Sequence, residues 1–296
     1  MVILKSDSYK FTHWKQYPKD AQTVYSYFES RGGQFDEICF FGLQYILKKH
    51  FCNPNISRYG IAVVARLVNQ HVGHFNHEGW ARLQEKHGNS LPLLIRSVPE
   101  GTIVPPGNVL MTVENTDEEF PWLTNYVETL LTHLWYPTTV ATQSRWMKQR
   151  LLDYLEQTGT PEDIDFKLHD FGYRGCTCHE QAEIGGMSHL VNFKGTDTFP
   201  GVLCAMDNYD AEMPGFSIPA SEHSTITSWG RDNECEAMEN MLDVYPTGPM
   251  ACVSDSYDIF RACSKYWGDT LKEKVLRRDG LLVIRPDSGD PLEVVP

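Results

Sequence analysis

The chain has 296 residues, 41% of them hydrophobic, enough to bury a substantial core as one large domain or two smaller ones. Its 14 Tyr, 14 Phe and 7 Trp argue against a disordered chain. A net charge of −13 and a pI near 5.3 argue against a general nucleic-acid or anionic-membrane binder, which needs a basic face, but leave room for an anionic substrate held by a few local Arg.

Residues 1–20 mix Lys, Asp, His and Tyr behind a short apolar start, which is no secretory signal. No run approaches the roughly 18 apolar residues of a membrane span. The eight Cys, at 39, 52, 176, 178, 204, 235, 252 and 263, then read as reduced thiols of a cytoplasmic protein, where the sequon Asn55-Ile56-Ser57 carries no meaning. Cys176, Cys178 and His179 lack a second Cys/His pair at zinc-like spacing, so no metal site is expected there.

In chain order, VYSYFES (24–30) alternates like a strand, and FGLQYILKKHF (41–51) has helical spacing. Residues 60–87 read as helices with Val, Ala and Leu on one face. The Val-, Pro- and Gly-rich stretch 91–116 predicts short antiparallel strands joined by tight turns. The longest helical stretch is 120–159, broken or kinked near Pro137, and Thr158–Pro161 is the expected joint. Beyond it, strand-like runs alternate with helical ones at 179–190, 224–242 and 256–268. That alternation implies βα units and a parallel, barrel-like sheet. The expected organisation is an N-terminal α+β domain over 1–160 and part of an α/β barrel over 161–296.

Five apolar runs in this second half end in charged and small residues: KLHDFGYRG (167–175), LVNFKGTDT (190–198), GFSIPASEHST (215–225), MACVSDSYD (250–258) and LLVIRPDSG (281–289). Carboxyl ends of parallel strands are where α/β proteins build sites. Arg174 and Arg285 each leave a strand into a turn; singly each could be a solvated cap, but together they suit phosphate or pyrophosphate. Phe171 alone reads as core, yet opposite an Arg its face could sandwich a flat heterocycle. Asp197, Asp255, Asp258 and Asp287 each suit an Asx turn, whereas carboxylates ending three strands suit sugar hydroxyls, an amide or Mg²⁺. His223, between Glu222 and Ser224 at a strand-to-helix junction, is an acid/base or phosphate-contact candidate, with Ser221 or Ser224 as the expected cap. HDFG (169–172) lacks the glycine loop and catalytic loop of a protein kinase, and no Walker or Rossmann motif occurs.

At these residues the chain closely resembles the nicotinamide phosphoribosyltransferases. SDSYKFTHWKQYP (6–18), YSYFESR, FFGLQYIL, VPEGTIVPPGNVLMTVENTD, WYPTTVAT, KLHDFGYRG, HLVNFKGTDT, IPASEHSTITSWG, VSDSYDIF and IRPDSGDPLEVV carry the resemblance over essentially the whole length. It implies transfer of phosphoribosyl from phosphoribosyl pyrophosphate (PRPP) to nicotinamide, with Mg²⁺ accompanying PRPP and ATP as activator. Phe171 and Arg285 would stack on the two faces of nicotinamide, and Tyr9 would reach it from the partner subunit of a homodimer. Asp197 would accept from the carboxamide NH₂ and repel the carboxylate of nicotinate. Arg174, His223 and Arg285 would bind pyrophosphate and Asp287 the ribose; Ser217 and Asp258 would line the adjoining tunnel. His223, Arg285 and Asp287 would be the catalytic group, and His223 the residue phosphorylated by ATP.

The same resemblance implies further strands and a Gly-rich loop for the PRPP 5′-phosphate beyond position 296. The expectation is therefore a shortened chain with an open sheet edge, active once the remainder is supplied. Two alternatives stand beside it: a truncated, non-catalytic or split-gene subunit, and a nicotinate phosphoribosyltransferase, which Asp197 disfavours. CTCH (176–179) replaces a more polar segment of the family.

Overall fold

The computed structural model describes residues 1–295, which fall into two compact units, Met1–Phe216 and the part from Ser217 onward. In the first unit the strands are β1 (Tyr25–Glu29), β2 (Ile38–Cys39), β3 (Leu93–Ser97), β4 (Ile103–Val104) and β5 (Val109–Asn115). β5 is the centre of an antiparallel sheet in the order β1-β5-β3, and β2 pairs antiparallel with β4. The Val-rich stretch thus forms the hairpin strands its turn residues predict.

The helices of this unit begin with α1 (Leu43–Ile46), which widens into a π turn over Leu47–Phe51. α2 (Arg58–Val72) and α3 (His77–His87) follow, N-capped by Ser57 and Asn76, whose side chains accept from Gly60 and Gly79 N–H. On α2 the buried residues Ile61, Val64, Ala65 and Val68 recur with helical period and face the core. The stretch 120–159 becomes α4 (Trp122–Tyr126), α5 (Glu128–Thr132) and α6 (Trp135–Thr158). The breaks fall at Val127 and at His133–Leu134 rather than at Pro137. That proline sits in the first turn of α6, where a missing N–H costs no intrahelical bond.

α7 (His179–His189) and α8 (Phe199–Tyr209) complete the unit. The sequence reading did not anticipate α8, whose Pro200 and Gly201 look like breakers but occupy the first turn. Met187, Cys204 and Ala205 from these two helices join the same core as Phe40, Trp80, Leu110, Leu123 and Leu134. Packing is therefore continuous past 158–161, and the compact units divide at Phe216/Ser217 instead. The strand-like runs within 167–175, 190–198 and 215–225 contract to single parallel bridges, Asp170 with Thr196 and Gly195 with Phe216 in this unit.

The second unit keeps two full parallel strands, β6 (Met250–Val253) and β7 (Leu282–Arg285), in register from Met250↔Leu282 to Val253↔Arg285. Ala220 bridges Ala251 on the other side of β6, and all four residues of β6 are buried, as a parallel strand covered on both faces should be. Its helices are α9 (His223–Thr227), α10 (Glu234–Val244), α11 (Ile259–Arg261), α12 (Lys272–Arg277) and α13 (Pro291–Val294). The helix expected over 224–242 is split between α9 and α10, where Gly230 turns the chain at φ +85°. Met238, Leu242, Met250, Cys252, Val253 and Trp267 form the core of this unit. The expected class holds: antiparallel sheet and helices first, parallel α/β alternation after.

α7 and α8 meet at backbone level. A Cβ on Gly201 would lie 2.6 Å from both Cα and C of Gly186, atoms that cannot swing aside. Gly201→Ala is expected to lower stability by about 2 kcal/mol through overpacking, read as a shift in urea midpoint without loss of slope.

Candidate functional site

In the first unit three neighbouring segments are tied by parallel backbone bonds. Asp170 N–H donates to Gly195 O (3.1 Å) and Asp197 N–H to Asp170 O (2.8 Å). Thr196 N–H donates to Phe216 O (2.9 Å) and Phe216 N–H to Lys194 O (2.7 Å). Alternation along an extended segment then puts His169 and Phe171 on one face, beside Asp197 on the next. His169 Nε2 lies 2.6 Å from Asp197 Oδ2, and the His169 and Phe171 rings sit 4.7 Å apart. A cleft of about 350 Å³ is lined by Phe171, Tyr173, Arg174 and Asp197. Phe171 is 51% exposed there, a large apolar ring held out of the core. Arg174 comes from a 3-10 turn, Gly172–Gly175, and Tyr173 Oη bonds His179 Nδ1 at 2.8 Å. This cleft can stack a flat ring, accept from an amide and offer a guanidinium to an anion.

Asp170 faces the other way. Its carboxylate accepts from Gly172 N–H (2.7 Å), and it lines a separate small cavity with His189 and Thr198. Burial holds the His189 imidazole below its ordinary range, and its Nε2 meets Gly195 O at 3.0 Å. A larger cavity of about 720 Å³ in the same unit is walled by Tyr27, Arg31, Gly33, Glu128 and Trp135. None of the sequence-predicted site residues lines it. Tyr9 lies in a 3-10 helix, Ser8–Lys15, is 58% exposed, packs edge-on against His13, and is likewise not part of the Phe171 cleft.

In the second unit His223, Asp255, Arg285 and Asp287 come together at the ends of β6 and β7. His223 Nε2 is 2.9 Å from Asp255 Oδ1, and its Nδ1 is 3.8 Å from Asp287 Oδ2. Asp255 Oδ2 accepts from Asp287 N–H (2.9 Å) and Ser288 Oγ (2.6 Å). Burial alone would raise the Asp255 carboxyl, but the bonds from Ser288, Asp287 N–H and His223 together hold it below the ordinary carboxylate range. Arg285 Nε is buried, 3.8 Å from Asp287 Oδ1, and makes no hydrogen bond among the described residues. An imidazole and a guanidinium ordered by carboxylates at a strand mouth suit a polyanion bearing hydroxyls.

Asp258, the cap of α9 and Ser217 each have a defined local setting. Asp258 N-caps α11, its Oδ1 accepting from Arg261 N–H at 3.0 Å, so its carboxylate has a local task. The cap of α9 is neither Ser221 nor Ser224 but Glu222, in a reciprocal box with Thr225; buried Ser221 instead accepts from Val253 N–H (2.8 Å). Ser217 is exposed in the extended segment that opens the unit. The sequence does not single out His169 or Ser288, and it leaves Asp255 level with its neighbour Asp258. For His169 the i, i+2 spacing to Phe171 was the available signal.

Family models match two stretches. "Nicotinamide phosphoribosyltransferase, N-terminal domain" covers residues 1–95, and "Nicotinate phosphoribosyltransferase (NAPRTase) family" covers residues 166–296. A nicotinamide phosphoribosyltransferase of Xanthomonas campestris is 48% identical over 99% of this chain and 64% of its own length. One from Acinetobacter baylyi is 34% identical over 98% of this chain and 62% of its own. One from Mycoplasma genitalium is 30% identical over 97% and 67%. The chain belongs to the nicotinamide phosphoribosyltransferase family. It spans 64% and 62% of the length of the first two of these relatives. The fold is also that of human nicotinic acid phosphoribosyltransferase, with a TM-score of 0.67 over 98% of this chain and 62% of that one at 17% identity. Among the described residues no helix is long and apolar enough to cross a membrane.

The bonds around Asp255 give a stability test with a defined sign. A depressed folded-state pKa contributes stability that is present above the unfolded value, about 3.9, and lost as pH falls through the folded value. Asp255→Asn should lose about 1–3 kcal/mol at pH 7. The gap to wild type should narrow as pH falls below about 4, measured by urea unfolding over a descending pH series.

Proposed function

We propose that this protein serves phosphoribosyl transfer from PRPP to nicotinamide, giving nicotinamide mononucleotide and pyrophosphate, in NAD salvage. The observation that carries this reading is the cleft in which Phe171, Arg174 and Asp197 meet, in a chain of this family. Nicotinamide would stack on Phe171 with its carboxamide N–H on Asp197, and the family resemblance adds Arg285 on the other face. Arg174, His223 and Arg285 would hold pyrophosphate, and Asp287 the ribose hydroxyls. Tyr9 would act on the nicotinamide of a partner subunit in a homodimer, which its 58% exposure allows. Ser217 and Asp258 would sit along the approach.

The pyridine nitrogen forms the new bond to ribose C1 as the C1–oxygen bond to pyrophosphate breaks, and the electron pair leaves with pyrophosphate. No side chain need be the nucleophile. The residues contribute position and charge: stacking fixes the ring, while the cations meet charge gathering on the departing pyrophosphate. Asp287, whose side chain is 51% exposed and lies 3.8 Å from His223 and Arg285, can balance an oxocarbenium-like ribose. Mg²⁺ prefers substrate phosphates plus one or two carboxylates, so it would arrive with PRPP, and Asp287 fits as its protein ligand where Asp255, already fully bonded, does not. ATP would serve as phosphoryl donor to His223, whose ring Asp255 orients.

Selectivity between the two bases is the decisive property. Nicotinamide is satisfied by Asp197 as acceptor, whereas nicotinate would bring a second carboxylate to it. Asp197→Asn is expected to narrow the nicotinamide-over-nicotinate ratio of kcat/KM by about tenfold or more. An unchanged ratio would refute the role of that carboxylate. Failure of the purified protein to make nicotinamide mononucleotide from nicotinamide and PRPP would refute the activity. Arg285→Ala should raise KM for PRPP by about tenfold or more through loss of a charged contact, checked by steady-state kinetics at saturating nicotinamide.

A further inference from the structure

Beside Asp197 stands an imidazole that the transfer chemistry does not use. His169 Nε2 is 2.6 Å from Asp197 Oδ2, short for a nitrogen–oxygen bond and well placed for N–H donation to a carboxylate. The ring is fixed on two further sides. A Cβ built on Gly195 would lie 2.8 Å from His169 Nδ1 and 3.5 Å from Cγ, so the imidazole occupies the space that glycine leaves open. The Phe171 ring lies against it at 4.7 Å, tilted by 38°. One side chain thus touches both the stacking ring and the amide-accepting carboxylate.

Accepting a bond at Oδ2 restricts the last torsion of the Asp197 carboxylate. We propose that His169 is a positioning residue of the base site: it holds the rotamer of Asp197, and through it the choice of a carboxamide over a carboxylate. The inference rests on the base-site reading above. In it His169 makes no contact with the reacting atoms; it acts through Asp197.

Calorimetric titration of the purified protein with nicotinamide and with nicotinate tests this without requiring turnover. His169→Leu keeps bulk against Gly195 and Phe171 but removes the donor. It should weaken nicotinamide binding by about tenfold, the worth of one charged hydrogen bond, and narrow the ratio to nicotinate. His169→Gln, whose amide nitrogen reaches the place of Nε2, should retain most of both. Gly195→Ala, which displaces the ring without altering it, should reproduce His169→Leu, so the inference stays testable if the leucine variant folds poorly. In an Asp197→Asn background His169→Leu should leave the ratio unmoved. Wild-type affinities in His169→Leu, or equal deficits in the Leu and Gln variants, overturn the positioning role. No binding of nicotinamide by the wild type overturns the base-site reading and this inference with it.

Discussion

Parallel backbone register is the constraint on which the Phe171 cleft depends. The bonds between Asp170 and Gly195, Asp197 and Asp170, and Thr196 and Phe216 bring three segments to the same level. Because side chains alternate along each segment, one choice of register selects His169, Phe171 and Asp197 together. A slip of one residue would exchange them for Asp170 and Thr196, which face a different cavity or the core. In the second unit, the pairing of Val253 with Arg285 sets the level at which Asp255 and Asp287 leave β6 and β7. Neither group of residues is adjacent in sequence; hydrogen bonding of the main chain makes them neighbours.

Both groups use the same electrostatic device. His169 is tied to Asp197 at 2.6 Å and His223 to Asp255 at 2.9 Å, so each imidazole is oriented by a carboxylate from the following segment. In a chain of net charge −13 such pairing offsets part of the acidic charge at each cluster. The pairs differ in setting. The Asp255 side chain is 3% exposed and fully engaged, while that of Asp197 is 41% exposed at the cleft. The first is built as support and the second as a contact.

Much of this was legible in the chain. Apolar runs stopping in charged clusters marked the segments that the backbone brings side by side, and Phe171, Arg174 and Asp197 do share a cleft. Helical period gave α2 and the buried stripe that carries it. What was not legible depends on the third dimension. Asp255 and Asp258 are chemically equivalent in SDSYD, and only their surroundings make one a hub and the other a helix cap. The continuity of packing from α6 into α7 and α8 arises from Met187, Cys204 and Ala205, small or flexible residues with no strong periodic signal. Pro200 and Gly201 concealed α8, since their breaking tendency vanishes in a first turn.

The glycine-to-glycine contact of α7 and α8 has a further bearing on recognition. Asp197 lies in the short link between these helices, and their main chains touch with no side chain between them to act as a bearing. The link is clamped at both ends, so the Asp197 carboxylate rides on a fixed mount rather than a closing flap. Ordering of that segment is completed when the chain folds, so any small ligand entering the cleft would meet a surface already arranged.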